Sequence, residues 1–233
     1  MTPYEFYESL FLESNRGINV SWDWKKLFEP KSIGLCGMII PFIAFGTIIL
    51  AIMLNSSWFN IMTDFLSALG WYTYLGPVAF VFNFGLAISG TLLMFFGLGF
   101  TLILNQEFGG KTRILASLSG LLLTGAGLAL IAFSIFTGDF GEMHGHVSML
   151  FFSFLLFSMG VTNLTMLFKK DSFFFTIAGI AIYVAFIIPM IWYVFFSLVV
   201  EVGLITAIPE LISSFSFCLW LFLQAYRIYR LEL

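Results

Sequence analysis

Charged side chains are scarce in this chain: only 10% of its 233 residues are Asp, Glu, Lys or Arg, whereas soluble domains average about 25%. The charge that remains does not suit nucleic acid, because the net charge is −3 and no basic run is present. Two cysteines are too few for a disulfide-stapled secreted module. Hydrophobic residues make up 60% of the chain, which excludes a disordered protein. The class that remains is a polytopic membrane protein.

Long apolar runs are abundant, and a helix needs about 20 apolar residues to cross the hydrocarbon core of a bilayer. The runs are continuous rather than alternating at every second residue, which favours helices over the strands of a barrel. The sequence therefore predicts an all-α fold with a six-helix transmembrane bundle over residues 33–226. The predicted spans cover residues 33–54, 79–104, 115–137, 147–168, 174–199 and 209–226.

The positive charges fall on one side of such a bundle. All ten Lys and Arg lie in the N-terminal segment, the second and fourth loops and the C-terminal tail, residues 227–233. Cytoplasmic loops of membrane proteins carry the excess of Lys and Arg. We therefore predict a multi-pass protein of the plasma membrane with a cytoplasmic N-terminus and a cytoplasmic C-terminus.

Residues 1–32 precede the first span and are polar and mixed in charge, unlike the short basic start of a cleavable signal peptide. Trp22 and Trp24 lie beside Lys25, a pattern typical of an amphipathic segment on the inner leaflet. A partly ordered cytoplasmic tail is the alternative interpretation of this segment.

The opposite, predicted outer side has no Lys or Arg, yet it holds much of the polar chemistry of the chain. Both histidines and five carboxylates fall there, together with one amide near the start of the second span. The candidate ligand-binding residues are therefore Asp64, Asn83, Asp139, Glu142, His144, His146, Glu201 and Glu210. The predicted topology places them at one face of the membrane without requiring that they converge.

The first loop has the pattern of a structured segment. Ile61, Phe65 and Leu69 recur at four-residue spacing, and Gly70 suits the end of a helix. This pattern predicts an interfacial helix over residues 60–70 that partly covers the outer end of the bundle. A loop of interfacial aromatic residues that binds no ligand is the alternative.

The third loop brings acids and imidazoles close together in sequence. Such a set could bind a divalent metal such as zinc, relay protons or bind substrate, or interact with the N-terminus of the fourth span. A metal site made of Glu142, His144 and His146 is the weakest of these, because His-x-His on a helix places the two rings roughly 200° apart. We predict no metal and no other cofactor.

Two candidates have simple structural alternatives. Glu210 follows Pro209, so its carboxylate would complement the dipole of the last span. Asn83 lies in hydrocarbon, where an amide must find a partner. It would either hold a neighbouring helix or line a polar cavity below the outer loops.

Several short motifs resemble those of a six-span family called domain of unknown function 998. The motifs are the segment from Phe65 to Gly70, Pro77, the segment from Phe82 to Gly85, and the segment from Gly138 to His144 that leads into Phe151-Phe152. The resemblance covers roughly Ile33 to Tyr226. The family in turn looks similar to the eukaryotic group that includes the damage-regulated autophagy modulators and a GPI-anchor remodelling factor.

The resemblance implies a lipid-related membrane role and no established activity. His144 and Asn83 match the histidine and the asparagine of the family pattern, whereas Ala68 stands where the pattern has an aspartate. Asp64 lies one turn earlier. The substitution at Ala68 distinguishes the outer face of this chain from that pattern.

The favoured hypothesis is a non-enzymatic membrane protein that binds a lipid or a partner protein through an outer polar pocket. One alternative is a membrane-embedded hydrolase or transferase that acts on lipid through carboxylate–histidine groups, although the chain has no Gly-x-Ser-x-Gly or His-Glu-x-x-His motif. A proton-coupled transporter is the other, although the predicted spans lack charges at mid-membrane. The expected partners are membrane lipids and a membrane protein, and no nucleic acid.

Overall fold

The computed structural model describes residues 24–55, 57–61, 64–169, 173–199 and 207–231, and within them it has no strand. Six helices are long and apolar enough to cross a membrane. They are α1 (Pro30–Leu54), α2 (Ala79–Glu107), α3 (Gly110–Ile135), α4 (Glu142–Met166), α5 (Phe173–Val199) and α6 (Ala207–Tyr229). The predicted all-α, six-span membrane fold is confirmed.

Several helices extend beyond the predicted spans. Helix α1 begins at Pro30, which suits the first helical turn, and α2 runs on to Glu107. Apolar runs mark where contact with hydrocarbon is favourable, but backbone hydrogen bonding continues into polar residues until a cap or a breaker ends it. As a result, the charged residues Glu107 and Arg227 lie inside helices rather than beyond them.

Each long helix packs along the next one in the chain, and α6 returns to pack against α1. The bundle has two ends that differ in charge. We call the end that carries residues 57–61, 64–78 and 136–141 the acidic end, and the other, which carries Lys26, Lys111 and Arg230, the basic end. Phe96 of α2 and Trp220 of α6 are fully buried in the core between the two ends.

Helices α2 and α3 approach each other through glycines. A Cβ atom at Gly90 would lie 2.8 Å from the carbonyl oxygen of Gly127, and one at Gly97 would lie 2.6 Å from the amide nitrogen of Thr124. Because lipid is as apolar as a protein interior, helices in a bilayer associate through close packing of this kind. The glycine contacts make α2 and α3 a tightly packed pair.

The first loop covers the acidic end, and the predicted helix over residues 60–70 is seen in part among the described residues, which lack residues 62 and 63. The helical part is a 3₁₀ helix, Leu66–Gly70, and the backbone of Phe65 before it is extended. A helical turn, Tyr72–Leu75, and a second 3₁₀ helix, Gly76–Val78, follow. We call residues 66–78 the roof. Leu66 and Leu69 of the roof pack with buried side chains of α1, α2 and α3.

We expect Gly97→Ala to lower the melting temperature of the purified protein in detergent. The added methyl group would contact the backbone of α3, and overpacking of this kind costs about 1–3 kcal/mol. Gly46→Ala is the matched control, because a Cβ atom at Gly46 of α1 has no heavy atom within 4 Å. Equal melting temperatures for the two variants would contradict the close α2–α3 contact.

Candidate functional site

Glu210, in the first turn of α6, binds the start of the roof. Its Oε2 atom accepts a hydrogen bond of 2.8 Å from the amide of Leu66, and its carboxylate also accepts one from the amide of Ser67. These amides are donors that a helix start leaves without an intrahelical partner. The carboxylate therefore fixes where the 3₁₀ helix begins, which explains why residues 64–65 are not part of it.

Asn83 of α2 binds the other end of the same 3₁₀ helix. Its side-chain nitrogen donates a hydrogen bond of 2.9 Å to the carbonyl oxygen of Gly70, and the side chain is buried. A Cβ atom at Gly70 would collide with the Asn83 amide oxygen. The buried amide therefore holds the roof rather than a neighbouring long helix.

Asp139, in the α3–α4 connection, holds the next turn of the roof. Its carboxylate accepts hydrogen bonds from the amides of Tyr72 and Thr73, at 2.7 and 3.0 Å. The Thr73 hydroxyl also donates to it, as does the Thr137 hydroxyl at 2.9 Å. Partial desolvation raises the pKa of Asp139, but these four hydrogen bonds outweigh it and lower the pKa to about 2.

His144 lies in the first turn of α4 and binds a backbone carbonyl at the end of α3. Its Nδ1 atom is 2.8 Å from the carbonyl oxygen of Phe136, and its ring packs against Phe133 with centroids 4.7 Å apart. Since a carbonyl only accepts, Nδ1 carries the proton, and Nε2 is an acceptor in the neutral imidazole. The Ser148 hydroxyl donates to the backbone carbonyl of His144 at 2.7 Å and not to this imidazole.

Two adjoining cavities lie below the roof. The larger, with about 1590 Å³ of empty space including the part open to the outside, lies between α4 and α5, and we call it the cleft. The smaller, with about 830 Å³, reaches between α1, α2 and α6, and we call it the inner pocket. The two share four lining residues: Ser67, Ser148, Phe152 and Glu210.

The cleft is polar at one end and apolar along its length. Glu142, His144, His146 and Glu210 line its polar part, which we call the carboxylate end. The walls below it are mostly apolar and are formed by Phe152, Leu156, Phe186 and Met190. Met149 also lines the cleft and is 70% exposed, so the cleft reaches the surface of the described residues on the side that faces the bilayer.

The structure thus brings together four of the eight predicted site residues, those of the carboxylate end. Asp139 and Asn83 hold the roof and line neither cavity. Asp64 is half-buried in the first loop, where it accepts a hydrogen bond of 2.6 Å from the amide of Asn60. Glu201 lies outside the described residues.

The metal alternative finds no support in the part of the chain that the structure describes. No three His, Cys, Asp or Glu side chains there are placed to share a metal ion. Helix α4 begins at Glu142, so His144 and His146 both lie within the helix and point in different directions around its axis. The Nδ1 atom of His144 is also committed to Phe136.

A polar cluster at the basic end was not predicted from the sequence. Glu107, whose side chain is 2% exposed, forms ion pairs with Lys169 at 2.7 Å and with Arg227. One turn before Arg227, the fully buried Gln224 has no hydrogen-bond partner among the described residues. The available signal was the position of Glu107, an acid close in sequence to the basic residues Lys111 and Arg113 at the start of α3.

A family model described as "Protein of unknown function (DUF998)" matches residues 38–227. The chain belongs to this family. The DUF998 match begins inside α1 and ends inside α6, so it covers the long helices together with the roof and the carboxylate end. Neither a curated protein nor a solved structure matches the chain.

We expect Asp139→Ala to speed hydrogen exchange at the amides of Tyr72 and Thr73, because these amides lose their acceptor. Exchange measured by mass spectrometry checks this, with Glu142→Ala as the matched removal of an exposed acid from the same region. Because the pKa of Asp139 is lowered, its carboxylate stabilises the fold in full when the pH is above the ordinary pKa of 3.8. Its contribution is lost as the pH falls towards 2. Unchanged exchange in Asp139→Ala would contradict the proposed role of this carboxylate.

Proposed function

We propose that this protein binds a membrane lipid in the cleft between α4 and α5. One observation supports the proposal most directly: the cleft joins a carboxylate end to a wall of apolar side chains and reaches the bilayer-facing surface near Met149. A lipid has the same division into a polar head and apolar chains. In this binding mode the head lies at the acidic end and an acyl chain lies along Phe152 and Leu156.

The helix packing supports lateral entry from the bilayer. Helices α4 and α5 touch near the basic end, where the Asn163 side chain donates a hydrogen bond of 3.1 Å to the Gly179 carbonyl. A Cβ atom at Gly160 would lie 2.8 Å from the Tyr183 hydroxyl oxygen. Closer to the acidic end the cleft separates the two helices. A chain therefore has a route into the cleft without passing through water.

Lipid binding accounts for the arrangement better than the two alternatives do. A hydrolase needs an activated nucleophile, but the Ser148 hydroxyl donates to a backbone carbonyl rather than to His144. A proton-coupled carrier needs charged groups along its pathway, whereas the charged residues that line the cleft are all at its carboxylate end. A membrane-protein partner that docks at the same opening is the remaining competitor.

We extend the proposal to location and orientation: a plasma-membrane protein with both termini in the cytoplasm and the roof outside. The support is the placement of Lys26, Lys111 and Arg230 at one end of the bundle, as the positive-inside rule requires of the cytoplasmic end. The distant similarity to the autophagy-modulator and GPI-remodelling group stays a prediction and fits a lipid-related role.

We expect Ser153→Trp to reduce the lipid that co-purifies with the protein, because the indole would fill the cleft. A loss of about tenfold corresponds to about 1.4 kcal/mol of binding free energy. Leu150→Trp is the matched control, since Leu150 is on α4 and 50% exposed but does not line the cleft. Lipid content is measured by native mass spectrometry of both variants. Equal lipid in the two would contradict the proposal.

We expect Met143→Cys to react with a membrane-impermeant maleimide on intact cells, and Gly109→Cys to react only after lysis. Both residues are exposed and lie at opposite ends of the bundle, so the two reactions report the two sides of the membrane. The background is Cys36→Ser with Cys218→Ser, which removes both natural thiols. The reverse labelling pattern would overturn the proposed orientation.

A further inference from the structure

No lysine or arginine is among the described residues that line the carboxylate end of the cleft. The sequence has neither residue between Arg113 and Lys169, nor between Lys170 and Arg227. These intervals contain α4, nearly all of α5 and α6, and the α3–α4 connection. A lipid phosphate placed there would meet the carboxylates of Glu142 and Glu210 without a compensating charge from the protein, which is unfavourable unless the headgroup itself carries a cation. An anionic headgroup does not fit this end.

This end offers several hydrogen-bond acceptors, together with one buried donor without a partner among the described residues, the Trp71 indole N–H, which also lines the cleft. Carboxylates accept only, and the Glu210 carboxylate uses only part of its capacity for the amides of Leu66 and Ser67. The proton on Nδ1 of His144 is directed to Phe136, and the hydroxyl proton of Ser148 is directed to the His144 carbonyl. The fitting ligand must therefore supply donors for the carboxylates, and an acceptor on it would satisfy the Trp71 N–H.

A second, independent feature lies deeper, in the inner pocket. Ser89 of α2 lines this pocket and is fully buried, and its hydroxyl has no hydrogen-bond partner among the described residues. Its neighbours Leu93 and Phe217 are apolar. A buried hydroxyl without a partner is costly, and the ester carbonyl of an acyl chain would accept its proton.

We propose that the cleft takes a diacyl lipid with a protonated amine in its headgroup, the ammonium bound at the Glu142 and Glu210 carboxylates and an ester carbonyl at the Ser89 hydroxyl. The inference rests on the proposed lipid binding and specifies the headgroup. An ammonium supplies three donors, and its positive charge adds a Coulomb attraction to its hydrogen bonds with the carboxylates that a neutral hydroxyl lacks. A charged amine is therefore favoured over a sugar or glycerol headgroup.

The test offers the delipidated full-length protein, in a nonionic detergent, equal amounts of four lipids with the same oleoyl chains. They are phosphatidylethanolamine, its N-acetylated form, phosphatidylglycerol and a glucosyl diacylglycerol, and native mass spectrometry measures the bound ratio. We expect phosphatidylethanolamine to exceed each of the others by about tenfold, the effect of one charged hydrogen bond. Equal or greater binding of phosphatidylglycerol or of the glucolipid would overturn the inference.

Two charge-removing variants locate the preference. Glu210→Gln keeps an oxygen that accepts the Leu66 and Ser67 amides while it removes the charge. Glu142→Gln alters a residue for which no hydrogen bond or ion pair to the roof is seen among the described residues. Each should reduce the preference for the amine lipid several-fold. If Glu210→Gln does not fold, Glu142→Gln alone tests whether the carboxylates cause this preference. Asp64→Asn, at the same end but outside the cleft, should leave the preference unchanged. An unchanged preference in Glu142→Gln would contradict the assignment.

A diether analogue of phosphatidylethanolamine tests the deeper contact. Ser89→Ala should weaken binding of the diester lipid about fivefold, the effect of one neutral hydrogen bond, and leave binding of the diether unchanged. An equal effect on both lipids would contradict the ester contact. If none of the lipids binds, or if Ser153→Trp retains them all, lipid binding itself fails. Binding without headgroup preference overturns only the present inference.

Discussion

The acidic end of this bundle depends on one constraint: backbone amides and carbonyls near hydrocarbon must find partners within the protein. The roof is too short to satisfy its own groups, because helical turns of a few residues leave most of their ends unpaired. Three side chains from other elements supply the partners. Glu210 binds the first amides, Asn83 the Gly70 carbonyl, and Asp139 the amides of Tyr72 and Thr73. The roof is therefore held by α6, by α2 and by the α3–α4 connection together.

Holding the roof at three points gives the bundle a covered space. Leu66 and Leu69 pack down onto α1, α2 and α3, and α2 and α3 are drawn together by their glycines. Helices α4 and α5, by contrast, make close contacts where Gly160 and Gly179 lie next to larger side chains. Small residues thus mark the close contacts between helices, whereas the bulky Phe152 and Phe186 line the cleft with their ring centroids 6.5 Å apart.

The sequence was sufficient for the number of helices, because apolar runs of spanning length and the confinement of Lys and Arg to alternate loops are properties of the chain itself. It was insufficient for the roof. The spacing of Ile61, Phe65 and Leu69 suggests a helix, yet the Glu210 carboxylate, far away in sequence, determines that helical structure starts at Leu66. The site was predictable to a similar extent. The histidines and acids could be identified from the sequence as residue types. The sequence did not show that Asn83 and Asp139 hold the roof and lie outside the cleft, because this depends on hydrogen bonds between residues far apart in the chain. The pairing of Glu107 with Arg227 also joins residues far apart in the chain.

The two roles of Glu210 are connected. Acyl chains gain little by moving from the bilayer into an apolar cleft, because both surroundings are hydrocarbon. Any preference among lipids must therefore arise at the carboxylate end, where water is partly excluded and charge interactions are strengthened. A carboxylate free to rotate would lose conformational entropy on binding a headgroup. The amides of Leu66 and Ser67 already fix this one, so the hydrogen bonds that hold the roof also preorganise the charge at the junction of the cleft and the inner pocket.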